Sequence, residues 1–168
     1  MLVIFSHGKE SGPWGVKIKT LADIAKAHNY EVESPDYSEL SSPDERVVVL
    51  LQKLMMEEDL SKILLVGSSM GGYVSTVVSG EKAVGGIFLL APALYQNGFN
   101  VQQYKPLCSQ VSVVHGWNDD IIPVERSIRF AQEHKVELNL INSDHRLNDS
   151  LDRMSEYFEN FLNRVEKK

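Results

Sequence analysis

The stretch ILLVGSSMGG, residues 63–72, decides the fold of this chain. Four apolar residues lead into a glycine, two serines and a methionine, and two glycines close the stretch. A short apolar run that ends in turn residues predicts a buried strand, and residues 70–79 behind the serines predict a helix. A strand that passes directly into a helix is the building unit of a parallel α/β sheet.

The same alternation continues along the rest of the chain. Apolar, β-rich runs predict six strands, at residues 2–6, 30–34, 62–67, 85–91, 110–116 and 136–141. Between most of them apolar residues recur at steps of three and four, as at Leu50, Leu51 and Leu54, which predicts helices. Because several runs are apolar without alternation, both faces of the sheet should be covered. We therefore expect an α/β fold with a parallel sheet, helices on both faces and right-handed crossovers.

Length and composition limit the possible functions. The 168 residues, 43% of them hydrophobic, fit one domain over 1–168 and leave no room for a second. Acidic residues spread along the chain give a net charge of −6, which argues against nucleic-acid binding and against a basic membrane patch. No apolar run reaches the length of a membrane span, and the first residues lack the features of a signal peptide. With one cysteine, Cys108, the sequence predicts a cytoplasmic protein.

Residues 92–109 fit neither the helical nor the strand period. They contain two prolines, a glycine and three aromatic residues. A loop of this length in a small domain is either functional, as a roof over a cleft, or a plain surface connection. Both interpretations stay open at the level of sequence.

The serines follow a predicted strand, at the end of the sheet where open parallel sheets bind ligands. Gly67, Ser69 and Gly71 form the pattern G-x-S-x-G, which is typical of a nucleophile elbow, a sharp turn that exposes the central hydroxyl. Glycines suit such a turn because neighbouring backbone comes too close for a Cβ atom. Since packing alone also places small residues at strand-to-helix turns, the pattern needs partners elsewhere in the chain.

A serine hydroxyl becomes a good nucleophile only beside a base, which a carboxylate in turn orients. In this type of fold the acid follows a later strand, and the histidine comes after the acid. Asp119 and Asp120 follow the strand at 110–116, and His145 follows the strand at 136–141. The candidates therefore lie at carboxyl ends of parallel strands, in the required order.

Each partner has an alternative interpretation. Asp119 is the preferred acid because it lies nearer the strand end, whereas we expect Asp120 to cap or complement the helix that starts near Pro123. His145 could instead face solvent in the first turn of a helix. His115 should pack or hydrogen-bond at its strand end. We expect no metal, because no spacing is typical of a zinc site.

The segments HGKESGP, GSSMGGY, HGWNDDIIP and DHRL together resemble the small, capless members of the α/β-hydrolase superfamily, among them bacterial serine esterases with a G-S-S-x-G-[GS]-Y elbow. The resemblance covers essentially the whole chain. It implies a three-layer α/β-hydrolase fold with a minimal six-stranded parallel sheet in the order 2-1-3-4-5-6 and no cap domain. It also implies a catalytic triad of Ser69, Asp119 and His145.

The resemblance further implies an oxyanion hole built from the backbone N–H groups of Lys9 and Met70, which would stabilise charge on a carbonyl oxygen. Lys9 departs from the family pattern, since relatives often carry an apolar or aromatic residue there. Its side chain could favour an acidic substrate or simply point into water. We expect no cofactor, and the partner should be a small-molecule ester or thioester with a small or flexible acyl group.

Two rival classes of function stay open. A protein-interaction module can use the same fold with weak or no activity, although an intact triad argues against it. Thioesterases, amidases and acyltransferases use the same machinery, and the sequence does not separate them from esterases. Cys108 is a weaker candidate nucleophile because it precedes a strand rather than ending one.

Overall fold

The computed structural model of this protein describes residues 1–108 and 110–167. The described residues form six strands: β1 (Leu2–Ser6), β2 (Glu31–Glu33), β3 (Ile63–Ser68), β4 (Gly86–Leu90), β5 (Val111–Gly116) and β6 (Glu137–Ile141). The same residues form five α-helices: α1 (Val16–Ala27), α2 (Pro43–Leu54), α3 (Met70–Glu81), α4 (Val124–His134) and α5 (Leu151–Glu166). The six predicted strands are confirmed, with ends that differ from the prediction by one residue at most.

The strands form one parallel sheet in the order β2-β1-β3-β4-β5-β6, as predicted. β3 lies inside the sheet, where Val66 has Phe5 of β1 on one side and Phe88 of β4 on the other. The chain runs from β1 outward to β2 and then returns to the other side of β1, so the order reverses between β1 and β3. Such a reversal opens a crevice at the carboxyl ends of the two strands.

Alternate residues of each strand feed two hydrophobic cores, one on each face of the sheet. In β1, Val3 and Phe5 pack with residues of α1 and α5, whereas Ile4 packs with residues of α2, α3 and α4. Phe88 of β4 lies edge-on to Phe158 of α5, with ring centroids 5.0 Å apart. This is the three-layer α/β-hydrolase fold. The central strands are buried on both faces, so their carboxyl ends are fixed relative to one another.

The connection from β4 to β5 contains no helix and forms no cap domain in its described residues. The backbone N–H of Tyr95 donates to the Tyr104 hydroxyl at 3.0 Å. The Tyr104 ring packs edge-on to Phe130 of α4, with centroids 6.0 Å apart. The predicted loop at 92–109 is therefore anchored by its aromatic residues on the α4 side; its residue 109 lies outside the described residues.

The described helices give no candidate for a membrane span. Within 1–108 and 110–167, none of them is both long enough and apolar enough to cross a bilayer.

Candidate active site

The turn between β3 and α3 holds Ser69 in an unusual backbone conformation. β3 ends at Ser68, α3 begins at Met70, and Ser69 between them has φ 55° and ψ −118°. A positive φ is uncommon for a residue with a side chain and costs roughly 1 to 3 kcal/mol. The turn is therefore as sharp and strained as the G-x-S-x-G pattern predicts.

The two glycines of the pattern are required by close backbone contacts. A Cβ atom on Gly71 would lie 1.9 Å from the carbonyl oxygen of Ser6, and one on Gly67 would lie 2.3 Å from the carbonyl oxygen of Gly71. Real Cβ atoms do not approach backbone this closely. The start of α3 thus packs directly against the end of β1, which is possible only without side chains at these positions.

The structure brings the side chains of Ser69, His145 and Asp119 together. The Ser69 hydroxyl lies 3.0 Å from His145 Nε2, within donating distance. His145 Nδ1 lies 2.7 Å from Asp119 Oδ2. The Asp119 side chain is fully buried and the His145 side chain is 17% exposed, so the imidazole joins a buried carboxylate to a hydroxyl at the surface of the cleft.

His145 lies in a turn between β6 and α5 rather than in the first turn of a helix. Asp144 Oδ1 accepts the N–H groups of Arg146 and Leu147, at 2.8 and 3.1 Å, which closes the turn. α5 begins only at Leu151. The histidine ring is therefore free to reach back to the elbow.

Asp119 is held by four hydrogen bonds. Its Oδ1 accepts the N–H groups of Ile121 and Ile122 at 2.9 and 2.7 Å, while its Oδ2 faces His145 and also His115, at 2.9 Å. Burial opposes ionisation of this carboxyl, but the hydrogen bonds from both imidazoles and both amides outweigh it and hold the pKa of Asp119 well below its usual value. Asp119 is therefore an anion at neutral pH.

Asp120 is exposed and takes no part in this chain of contacts. We expected it to cap or complement α4, and the cap is not observed. The N-cap of α4 is Pro123, and the helix start has no side-chain cap hydrogen bond. It is Asp119 that binds the backbone amides ahead of the helix, because its oxygen reaches the N–H groups two and three residues on.

His115 is a site residue whose role the sequence did not reveal. It is fully buried at the end of β5, and its Nε2 lies 2.9 Å from Asp119 Oδ2 and 3.0 Å from the Ile122 carbonyl oxygen. Its Nδ1 lies 2.7 Å from the Ser127 hydroxyl. We expected a hydrogen bond at the strand end but not its partner. The one available signal was the spacing of four residues between His115 and Asp119 across the strand end.

This chain resembles known proteins in both sequence and structure. A profile described as an uncharacterised protein family, UPF0227, matches residues 2–99. This chain belongs to the UPF0227 family. The matched residues of this chain include Ser69 and its turn but neither Asp119 nor His145. No curated protein matches its sequence.

Solved structures resemble the UPF0227 protein over nearly its whole length. A protein of Xanthomonas campestris pv. campestris assigned to the alpha/beta superfamily of hydrolases is 28% identical, with a TM-score of 0.86. The match covers 97% of this chain and 98% of that one. Est1E of Butyrivibrio proteoclasticus is 16% identical with a TM-score of 0.83, over 99% and 88% of the chains. The ydeN gene product of Bacillus subtilis is 16% identical with a TM-score of 0.80, over 99% of each. These likenesses agree on the α/β-hydrolase fold.

The loop after β1 lies beside the elbow of the UPF0227 protein. A Cβ atom on Gly8 would lie 3.6 Å from Ser69 Cβ, and Lys9 and Met70 line the same cavity as Ser69. Met70 is the first residue of α3, so its N–H has no partner within the helix. Lys9 and Met70 therefore both lie beside Ser69 in the wall of the cavity.

Buried polar groups fix this loop. Arg46 of α2 is 1% exposed and donates through Nη1 to the carbonyl oxygens of His7 and Gly8, at 3.0 and 3.3 Å. His7 Nε2 accepts the N–H of Tyr37 at 2.9 Å, so its Nδ1 carries the proton that it donates to the Gly8 carbonyl. Burial lowers the pKa of His7 and keeps it neutral. His7 and Arg46 therefore shape the turn.

A cavity of about 810 Å³ opens at this end of the sheet, with Ser69, Met70 and His145 in its wall. Ala93, Gln96 and Phe99 contribute to it from the segment after β4, so that segment both anchors the fold and lines the cleft. No group of three or more His, Cys, Asp or Glu side chains suited to a metal ion occurs in the described part of the chain.

Cys108 lies away from this cavity. It lines a smaller one, of about 350 Å³, with Gln110 and Glu137, which lie at the amino ends of β5 and β6. The strands of a parallel sheet begin at one edge and end at the other, so Cys108 and Ser69 belong to opposite edges of the sheet.

Proposed function

We propose that this protein is a serine hydrolase that cleaves a carboxylic ester through an acyl-enzyme. The observation that carries the proposal is the continuous chain of contacts from Ser69 Oγ through His145 to Asp119, at 3.0 and 2.7 Å. These distances allow proton transfer from hydroxyl to imidazole without movement of the backbone. The strained elbow supports the same assignment, since strain of this kind concentrates at functional sites.

In the proposed mechanism, His145 takes the proton of Ser69 as the serine oxygen attacks the ester carbonyl carbon. The resulting imidazolium lies against the Asp119 carboxylate, which stabilises it and keeps the ring in the orientation with Nδ1–H. The negative charge moves to the carbonyl oxygen, for which the N–H groups of Lys9 and Met70 are the proposed donors.

Collapse of this tetrahedral intermediate breaks the ester bond, and His145 returns its proton to the departing alkoxide. A water molecule then gives a proton to His145 as its oxygen attacks the acyl carbon. His145 returns that proton to the Ser69 oxygen as the bond between the acyl group and serine breaks and the acid leaves. All proton transfers use one imidazole. No residue beyond the triad and the two amides is needed for the reaction.

An ester is the proposed substrate because the cleft is open, apolar in part and free of a cap in its described residues. Ile18, Phe99 and Ile122 offer hydrocarbon surface to an acyl or alkyl group. The structure of Est1E has also been solved with ferulic acid bound, which supports a carboxylic acid as the kind of product that this fold can hold.

The test is labelling with a fluorophosphonate probe, which reacts with an activated serine. We expect the wild-type protein to be labelled and Ser69→Ala to be unlabelled, with hydrolysis of p-nitrophenyl hexanoate lost in parallel. Circular dichroism and thermal unfolding serve as controls for folding. Absence of labelling in folded wild-type protein would contradict the proposal and favour an interaction module. Labelling together with hydrolysis of thioesters but not of esters would indicate a thioesterase instead.

A further inference from the structure

Lys17 is the half-buried cation of the candidate active site. It is the second residue of α1, and its side chain lines the cavity together with Ser69 and His145. Among the described residues, the lysines that form ion pairs within 4.0 Å are Lys26, Lys53 and Lys62. Lys17 therefore presents an ammonium group to the cleft without a carboxylate in contact.

The two carboxylates that attract Lys17 are engaged elsewhere. Asp144 is the stronger influence and Asp119 the weaker. Asp144 Oδ1 closes the turn by accepting the N–H groups of Arg146 and Leu147. Asp119 accepts from two amides and faces two imidazoles. Both carboxylates are held in place by these bonds, and neither forms an ion pair with Lys17 within 4.0 Å.

Burial has the largest effect on the pKa of the Lys17 ammonium group. It lowers the pKa of Lys17 to about 8, against the opposing pull of Asp144 and then Asp119. The group is still mostly protonated at neutral pH, and it has lost part of its hydration. An anion brought into contact would replace that hydration and favour the protonated form.

We infer that Lys17 recognises an anionic group on the substrate, and that the substrate class is a carboxylic ester carrying a free carboxylate. This inference rests on the proposed function. The cavity has room for both parts of such a molecule, since its wall combines Lys17 with apolar residues such as Ile18, Met70 and Ile122. The hydrocarbon part contacts the apolar wall, the carboxylate contacts Lys17, and the ester carbonyl lies at Ser69.

Other charged side chains also line the cavity, but they differ from Lys17 in exposure. They are Lys9, Glu10, Asp120, Asp144 and Arg146, all of which are exposed to solvent. Contacts between exposed charges contribute little because water and salt screen them. The half-buried Lys17 is therefore the cation with the largest expected effect on substrate choice, rather than Lys9, which the sequence had singled out.

The test compares two esters of equal chain length, p-nitrophenyl hydrogen adipate, which carries a carboxylate, and p-nitrophenyl hexanoate, which does not. We expect wild-type protein to have the higher kcat/KM for the adipate. Lys17→Met should lower the adipate-to-hexanoate ratio about tenfold, while Lys17→Arg should keep most of it. Arg146→Met is the matched control, because it removes an exposed cation from the same cavity and should change the ratio less than about twofold.

The ratio should also depend on pH. As pH rises from 7 to above the Lys17 pKa of about 8, the ammonium loses its proton and the preference for the adipate should fall. The hexanoate serves as the reference, because pH effects on the proposed triad act on both esters. Lys17→Met should remove this pH dependence of the ratio.

The experiment distinguishes failure of the Lys17 assignment from failure of the proposed hydrolase function. Wild-type protein that hydrolyses both esters without preferring the adipate, or a Lys17→Met variant with an unchanged ratio, would overturn the assignment of Lys17 and leave the hydrolase intact. Wild-type protein that hydrolyses neither ester and is not labelled by the fluorophosphonate would overturn both.

Discussion

Asp119 is the meeting point of two serine-histidine pairs, one in the cleft and one in the interior. In the cleft, Ser69 faces Nε2 of His145 at 3.0 Å and Nδ1 of that ring faces Asp119 at 2.7 Å. In the interior, Ser127 faces Nδ1 of His115 at 2.7 Å and Nε2 of that ring faces the same carboxylate oxygen at 2.9 Å. Two chains of contacts from a serine through a histidine thus end on one Asp119 carboxylate, with similar distances.

The two pairs differ in what surrounds the serine. Ser127 lies within α4 and is fully buried, as is His115. Ser69 occupies a strained turn in the wall of a large cavity, close to the first amide of α3. A hydrogen-bonded chain from serine to carboxylate is therefore insufficient to define a nucleophile. In the proposed function, access to the cavity and the proposed amide donors of Lys9 and Met70 separate Ser69 from Ser127.

Asp119 Oδ2 sets one nitrogen of each ring as the donor, but the two rings differ in what else that nitrogen faces. Nε2 of His115 faces two acceptors, Asp119 Oδ2 and the Ile122 carbonyl oxygen, so it must carry the proton. Nδ1 of His115 then accepts from the Ser127 hydroxyl. His145 has Asp119 on one nitrogen and only the Ser69 hydroxyl on the other. Both rings therefore donate to Asp119 and face a serine hydroxyl with the other nitrogen, but Ser69 lines the cavity whereas Ser127 is fully buried.

Apart from the loss of Ser69 itself, the largest expected effect comes from the carboxylate that both pairs share. Asp119→Asn keeps the shape but removes the charge, so His145 loses the group that stabilises its protonated form. We expect kcat/KM for p-nitrophenyl hexanoate to fall by about 10³ to 10⁴-fold. Asp120→Asn is the matched control and should stay within about threefold of wild type, because Asp120 is exposed and outside the contacts. A larger loss for Asp120→Asn would show that the acid is misassigned.

The same substitution should change how stability depends on pH. The pKa of Asp119 is lowered in the folded protein, so ionised Asp119 stabilises the fold above its unfolded pKa of about 4 and loses that contribution as pH falls below it. We expect the difference in unfolding free energy between wild type and Asp119→Asn to shrink by about 1 kcal/mol between pH 5 and pH 3. Urea unfolding at several pH values measures it. A difference that stays constant would mean that Asp119 is not bound as an anion.

The sequence predicted the cleft pair and missed the interior one for a physical reason. The strands, their order and the G-x-S-x-G turn depend on local patterns: apolar runs, helical spacing and glycines at close contacts. The order of Ser69, Asp119 and His145 along the chain then follows from the carboxyl ends of parallel strands, which the topology brings together.

His115 and Lys17 carry no such pattern. Ser127 and His115 meet because α4 folds back over β5, and the turn at 144–147 places His145 against the same oxygen of Asp119. Lys17 is one of two lysines near the start of α1, and only the packing of the helix shows which of them faces the cleft. The sequence also did not show which of the two neighbouring aspartates binds the amides of Ile121 and Ile122; in the structure it is Asp119.

A smaller effect should follow from the interior imidazole. His115→Phe removes the donor to Asp119 Oδ2 while keeping an aromatic ring, so the carboxylate retains its amide bonds but is held less firmly toward His145. We expect kcat for p-nitrophenyl hexanoate to fall about tenfold with little change in KM. His115→Gln, whose side-chain amide can donate from nearly the same place, should recover most of that loss. Equal activity of the Phe and Gln variants would contradict a positioning role for this hydrogen bond.

The smallest effect on activity should come from the interior serine, which makes it the sharpest contrast with Ser69. Ser127→Ala leaves Nδ1 of His115 as a buried acceptor without its donor, which should lower the free energy of unfolding by about 1 to 2 kcal/mol. Hydrolysis should stay within about threefold of wild type, because Asp119 keeps both imidazoles. Ser69→Ala should do the reverse, removing hydrolysis while changing stability little. If Ser127→Ala instead abolished hydrolysis in a folded protein, the interior pair would have to take part in the reaction.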